Sequence, residues 1–112
     1  MRDDHVAQLV RERLRSVAMG ALAVLDNRAF ASYRVDFATL LVRDPLAAYK
    51  VLLSYQKDPR KARVILRSVL LGFSRSALEI LNAINALEKG DPKPVKRILK
   101  RAADGRAGSR AL

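Results

Sequence analysis

Two stretches of this chain, 33 residues apart, share one pattern of residues. The first runs from Asp58 to Gly72 and reads DPRKARVILRSVLLG. The second runs from Asp91 to Gly105 and reads DPKPVKRILKRAADG. Each opens with Asp-Pro, carries Ile-Leu at its centre and closes with Gly. Because Asp caps helix N-termini, Pro suits the first helical position and Gly ends helices, each stretch predicts one short helix.

The two stretches also repeat their positive charge. The equivalent basic pairs are Arg60 with Lys93, Arg63 with Lys96, and Arg67 with Lys100. On a helical wheel these residues lie opposite the apolar residues of the same helix. We therefore predict a helix-turn-helix repeat of 33 residues in which the two basic faces point in similar directions. The alternative is that the stretches share only the start and stop signals that any well-delimited helix uses.

Similar signals divide the rest of the C-terminal half. Asp44-Pro45 opens a shorter third copy of the pattern, and Ser76 with Glu79 has the spacing of a capping box. The helices predicted here cover residues 45–57, 59–71, 75–89 and 92–103. The sequence thus predicts an all-α fold, a compact bundle of about five or six short helices. We expect one helical domain over residues 1–104 and a flexible basic tail over residues 105–112.

The first helix is predicted to begin at Asp3 or Asp4, either of which suits an N-cap, and to end before a break at Asp26-Asn27. Its apolar residues follow alternating steps of four and three. They form a seam of Val10, Leu14, Val17, Ala21 and Val24. Because such spacing is typical of surfaces where helices pack together, we expect a homo-oligomer that forms through this seam.

Residues 28–43 allow two interpretations. The apolar side chains Phe30, Tyr33 and Phe37 suit one face of a helix. The short segment YRVDF, residues 33–37, also alternates as a strand would. Periodicity over so few residues does not separate the two, and we favour a helix.

The chain of 112 residues has a strong excess of positive charge. Twenty-two Lys and Arg residues against eleven Asp and Glu residues leave a net charge of +11. Such a field attracts polyanions, so nucleic acid, an acidic protein and an anionic lipid surface are the partner classes that it favours. Between Lys93 and Arg110 seven basic residues meet one acid, Asp104, so few local ion pairs are available to neutralise this charge.

The predicted function is therefore nucleic-acid binding, DNA or RNA, through the phosphate backbone. The candidate contacts are Arg60, Arg63, Arg67, Lys93, Lys96, Arg97, Lys100, Arg101 and Arg106. The alternative is a non-enzymatic oligomerisation or protein-interaction module, such as a small subunit of a larger complex. An anionic membrane surface is disfavoured, because the last helix lacks the Trp, Phe and bulky Leu residues of an interfacial anchor.

Aromatic residues give a slight preference for single strands. Phe30, Tyr33 and Phe37 alternate with Arg28 and Arg34, and this mixture can stack unpaired bases while it holds phosphates. The other interpretation is that these rings fill the core of an amphipathic helix.

The sequence does not support catalysis, a metal site or a cofactor. The only histidine is His5, close to the start of the chain, and there is no cysteine. Asp44, Asp58 and Asp91 are accounted for as helix caps, and no phosphate-binding glycine motif follows a strand. We expect a protein that is not an enzyme and that needs neither a cofactor nor a metal ion.

No apolar run approaches the roughly 20 residues of a membrane-spanning helix. The run Val17 to Leu25, followed by Ala29-Phe30-Ala31, resembles a secretory leader, but acids precede it and its helical register continues. With no disulfide to form, we expect a cytoplasmic protein that is not bound to a membrane.

Overall fold

Residues 2–101 of the chain are described by the computed structural model, with side chains from His5 onward, and this part contains seven helices and no strand. The helices are α1 (Arg2–Val17), α2 (Met19–Tyr33), α3 (Phe37–Arg43), α4 (Pro45–Tyr55), α5 (Pro59–Leu70), α6 (Ala77–Glu88) and α7 (residues 93–101). The description ends at residue 101, within α7. The all-α prediction is confirmed for this part of the chain.

The Asp-Pro signals start helices as predicted. Asp44 accepts a hydrogen bond from the backbone N–H of Ala47 at 3.2 Å, which caps α4. Asp58 and Asp91 each accept from the backbone N–H two residues later, at 3.0 Å. A carboxylate at this position satisfies an N–H that has no partner within the helix. The two long sequence copies therefore begin their helices with the same capping contact.

The first break in the chain lies at Ala18, so the prediction of one helix up to a break at Asp26-Asn27 is wrong. Ala18 has φ −148° and ψ 47°, and it separates α1 from α2. Helix α2 continues through Asp26 and Asn27. An Asp side chain disfavours a helix when it bonds to its own neighbouring backbone. The Asp26 carboxylate instead accepts from the N–H of Phe37, in a distant segment, so it does not compete with the hydrogen bonds of α2.

Residues 28–43 contain no strand, but the favoured single helix is wrong as well, because residues 34–36 form a bend between two helices. α2 ends at Tyr33, and Arg34 follows with the left-handed φ of 65° that reverses the chain. Asp36 then caps α3 by accepting from the N–H of Thr39 at 2.8 Å.

Gly72 follows α5 as expected, but its role differs from the predicted one. It does not have a positive φ; among the described glycines only Gly90, after α6, does. A Cβ atom on Gly72 would lie 3.0 Å from the side chain of Arg13, whose Nε donates to the carbonyl oxygen of Ser68 at 2.9 Å. Glycine at this position therefore lets α1 approach the end of α5.

One hydrophobic core joins all seven helices. Its largest fully buried side chains are Phe37, Leu14, Leu25, Leu41, Leu52, Leu66, Leu70, Ile80, Leu87, Ile98, Leu99 and Val10. The predicted inner faces of the two sequence copies are confirmed, since Ala62 and Leu66 of α5 and Val95 and Ile98 of α7 are buried. The opposite faces of both helices are consequently turned to the surface.

Most of the predicted oligomer seam lies inside the chain. Val10 and Leu14 are fully buried, Ala21 is buried and Val24 is half-buried. Of the five residues only Val17, the last residue of α1, is exposed. These side chains stabilise the monomer, so a homo-oligomer would need another surface.

Residues 102–112 lie outside the described part, and with them Gly105, Arg106, the end of the predicted last helix and the predicted tail. Within the described part, no helix is both long enough and apolar enough to cross a membrane.

Candidate functional site

The C-terminal helices α5, α6 and α7 form a surface in which α6 lies between two basic helices. Arg63, near the start of α5, donates to Glu88 at the end of α6, with Nη1 to Oε1 at 2.5 Å. Arg101, on α7, pairs with Glu79 near the start of α6. These two ion pairs fix α5 and α7 to opposite ends of α6 and keep both basic helices next to it.

The basic face of α7 is exposed and largely unneutralised. Lys93, Lys96, Arg97 and Lys100 are exposed, and none forms an ion pair with a carboxylate of the described residues. Their positions at successive helical turns place the four charges on one side, opposite the buried face of the helix. Like charges at such spacing repel one another, so a bound polyanion would stabilise this helix.

The basic face of α5 is different, because two of its three predicted contacts have acidic partners. Arg63 is held by Glu88, as described above, and Arg60 pairs with its own capping residue Asp58 at 3.4 Å. The Arg60 side chain is still 89% exposed, so solvent weakens this pair. Arg67 is exposed and has no acidic partner in the part of the chain that the structure covers. Arg60, Arg63 and Arg101 are therefore already paired with acids, whereas Arg67 pairs with none of the described carboxylates.

Glu79 organises the junction between α6 and α7. The predicted capping box is half present: Ser76 accepts from the N–H of Glu79 at 3.1 Å, but the Glu79 carboxylate does not return the bond. It accepts instead from Arg101 and from the hydroxyl of Ser74, the latter at 2.7 Å. These hydrogen bonds, that of Arg101 first, lower the pKa of Glu79 below its ordinary value. The charged carboxylate thus holds α7 in place at neutral pH.

A groove of about 360 Å³ lies between α5 and α6. Arg60, Arg63 and Arg67 line it from α5, and apolar side chains of both helices form the rest of its lining. The apolar lining residues are Val64, Leu71, Ala77, Ile80, Leu81 and Ile84. An exposed depression with this lining leaves apolar surface in contact with water.

The three candidate stacking residues are separated by the fold. Phe37 is fully buried and is therefore unavailable to a base, contrary to the prediction. Phe30 and Tyr33 lie one turn apart on α2 and are 57% and 41% exposed. Two rings therefore remain accessible, next to the exposed side chain of Arg34.

An ion-pair network in the N-terminal half was not recognised from the sequence. Arg11 of α1 pairs with Asp26 of α2 at 3.3 Å and also with Asp36, the cap of α3. Asp26 in turn accepts from the N–H of Phe37, the first residue of α3, at 3.0 Å. One guanidinium thus joins three helices. Each of the two acids was visible in the sequence, but no local spacing connects either to Arg11.

The pKa values in this network follow from its contacts. The pKa of Arg11 is raised, first by its hydrogen bond to Asp36 and then by the charge of Asp26, although burial opposes the change. Burial alone would raise the pKa of Asp36, but hydrogen bonds from Thr39 and Arg11 lower it below its ordinary value. Arg11 and Asp36 are therefore both charged at neutral pH, and the network has a structural role.

No group of three or more His, Asp or Glu side chains that could hold a metal ion occurs among residues 5–101. His5 is exposed at the start of α1. Tyr49 has a raised pKa because it is partly buried and lies near Glu88, so its hydroxyl stays protonated at neutral pH.

Comparisons with protein-family models, with curated proteins and with solved structures found no match to this chain.

Proposed function

We propose that this protein binds the phosphate backbone of nucleic acid through the basic face of α7. The single observation that carries the proposal is a set of four exposed cations on that face that form no ion pair with the described carboxylates: Lys93, Lys96, Arg97 and Lys100. Of these, Arg97 lies close enough to Glu79 for its charge to help lower the pKa of that acid. Cations that are already paired gain little from a phosphate, whereas unpaired ones release bound counterions from the nucleic acid.

The arrangement also suits a linear polyanion. The four residues span about two turns of helix, or roughly 11 Å, at a rise of 1.5 Å per residue. Phosphates on one DNA strand follow each other at about 3.4 Å along the helix axis, so this face can contact several of them. Arg101 is held by Glu79 and serves to position α7 rather than to bind.

Arg67 of α5 can extend the surface, because it is exposed on the other side of α6 and lacks an acidic partner within residues 5–101. Arg60 and Arg63 contribute less, since Asp58 and Glu88 already offset their charge. Contact through the backbone, with few groups aimed at base edges, predicts weak sequence preference.

The accessible rings of Phe30 and Tyr33 support a preference for single strands, because unpaired bases can stack on them. Removal of both rings, in a Phe30→Ala, Tyr33→Ala double variant, is expected to weaken single-strand binding and to leave duplex binding unchanged. An equal loss for both would contradict stacking.

The experiment that tests the function is a fluorescence-anisotropy titration with four 20-nucleotide probes, which are single- and double-stranded DNA and RNA of mixed sequence. At about 50 mM salt we expect binding that weakens steeply at about 200 mM, because each phosphate contact adds to the salt dependence. No binding to any of the four probes at the lower salt concentration would overturn the proposal.

A further inference from the structure

The groove between α5 and α6 is shaped for a ligand with both acidic and apolar groups. Its α5 rim carries Arg60, Arg63 and Arg67, which recur at steps of three and four and so lie along one line. Its lining includes the exposed side chains of Val64 and Leu81, at 61% and 46%. A cationic rim beside accessible apolar surface is unusual for a purely solvated helix face, on which polar groups predominate.

The rim is also partly preorganised. Glu88 holds the guanidinium of Arg63 in place, and the arginine still has N–H donors free for a second acceptor, since a guanidinium carries five. The groove follows α5 from Arg60 to Leu71, eleven steps or about 16 Å. This length matches about three turns of a docked helix.

Nucleic acid does not fit this lining. A duplex presents charged phosphates and would leave Val64, Leu71 and Leu81 wet, and the groove has no aromatic side chain on which an unpaired base could stack. A second copy of this chain does not fit either, because a net charge of +11 on each copy opposes docking against three arginines.

We infer that the α5/α6 groove binds an acidic amphipathic helix of a partner protein. Its apolar residues, spaced at i, i+3 or i+4 and i+7, occupy the groove, and its Asp and Glu residues pair with the arginine rim. This does not rest on the proposed nucleic-acid binding, because the groove lies on the opposite side of α6 from α7, although both proposals use the arginines of α5.

The test uses a fluorescein-labelled 15-residue peptide with Leu at i, i+3, i+7 and i+11 and Glu at the flanking positions, together with a scrambled peptide of the same composition. Two pairs of variants are matched. Leu81→Ser changes the groove, and Leu78→Ser changes another exposed leucine of α6, which lines a different depression next to Arg97. Arg67→Glu changes the rim, and Lys100→Glu changes the corresponding position of the second sequence copy.

We expect Leu81→Ser and Arg67→Glu each to weaken peptide binding about tenfold, as loss of a central contact does in other interfaces. Leu78→Ser and Lys100→Glu should change it less than about twofold. Circular dichroism melting of every variant checks the fold, and methyl chemical shifts of the unmodified protein should change at Val64, Leu71 and Leu81 when the peptide is added.

Three outcomes would overturn the inference. The scrambled peptide could bind as tightly, which would indicate charge alone. Vesicles with one quarter anionic phosphatidylglycerol could bind with equal dependence on Leu78 and Leu81, which would indicate a lipid surface. A single-stranded oligonucleotide could bind with the same dependence on Leu81 as the peptide, which would assign the groove to nucleic acid.

Discussion

The junction of α1, α2 and α3 and the exposed face of α7 use positive charge in opposite ways. In the N-terminal half Arg11 is partly buried between Asp26 and Asp36 and holds three helices together. In the C-terminal half the cations of α7 are exposed and, with the exception of Arg101, have no acidic partner among the described residues. Residues 1–57 contain nine basic and six acidic residues, and residues 58–101 contain eleven and four. The position of acids in the folded chain, more than the net charge, decides which cations are available to a ligand.

The largest expected effect tests whether α1 is part of the core or part of an interface. Leu14→Ala should lower the free energy of unfolding by about 3 kcal/mol, because Leu14 is fully buried in the monomer. The matched change Val17→Ala, at an exposed position, should cost less than about 0.5 kcal/mol. Urea denaturation at two protein concentrations measures both. If the loss of unfolding free energy for Leu14→Ala depended on protein concentration, Leu14 would lie in an oligomer interface, as the sequence predicted.

The next effect compares a paired arginine with an unpaired one. Arg11→Met keeps most of the side-chain volume but leaves Asp26 and Asp36 without their cation, so stability should fall by about 2 kcal/mol. Arg97→Met removes the same charge from the exposed face of α7 and should change stability by no more than about 0.5 kcal/mol. Equal losses in thermal melts would mean that the paired Arg11 and the unpaired Arg97 do not differ in their contribution to stability.

A smaller effect tests whether the two sequence copies start their helices in equivalent ways. Asp58→Ala and Asp91→Ala each remove a cap bond of 3.0 Å to the backbone N–H two residues later. Each should cost about 1 kcal/mol. Chemical denaturation would show the difference between them. A loss for one and none for the other would mean that the capping contacts are not energetically equivalent.

The smallest expected effect is the loss of stability as pH falls. The pKa values of Asp36 and Glu79 are lowered in the folded chain, so the stability they contribute is present above their unfolded values and is lost as pH falls through the folded ones. We expect unfolding free energy to decrease below about pH 5. Asp36→Asn, which keeps a capping side chain, should flatten that decrease more than Glu79→Gln does, because the pair of Glu79 is more exposed and more readily screened by salt.

Local signals predicted the helices that have their own start residues. Asp44, Asp58, Asp91 and Ser76 all cap the helices that follow them, and the wheel correctly separated the buried from the exposed sides of α5 and α7. These predictions succeeded because a cap and a helical face depend on neighbours within a few residues.

Features that depend on distant contacts were missed. The break at Ala18 carries no sequence signal, because that residue is neither Pro nor Gly and has no capping side chain. Asp26 was interpreted as a helix break because its hydrogen-bond partner, the N–H of Phe37, is eleven residues away and is not visible as a local pattern. The pairing of Arg63 with Glu88 and the groove beside it likewise need α5 and α6 to be packed first. Phe37 of α3 is buried and Phe30 of α2 is exposed, because the side of α3 that carries Phe37 faces the core and the side of α2 that carries Phe30 does not.

The claim that α7 carries the available cations can be tested most directly by the salt dependence of binding to single-stranded DNA. One variant changes Lys93, Lys96, Arg97 and Lys100 to Gln. Its matched control changes Arg15, Arg43, Lys50 and Lys57, which are exposed on other helices or loops, so both variants lose four positive charges.

Affinity of each variant and of the unmodified protein is measured at five salt concentrations, and the logarithm of the association constant is plotted against the logarithm of salt concentration. We predict that the slope of the α7 variant is shallower by about 3, since each lost phosphate contact removes roughly 0.7. The slope of the control should change by less than about 1. Equal changes in both variants would contradict a binding surface on α7 and would leave only a general attraction to net charge.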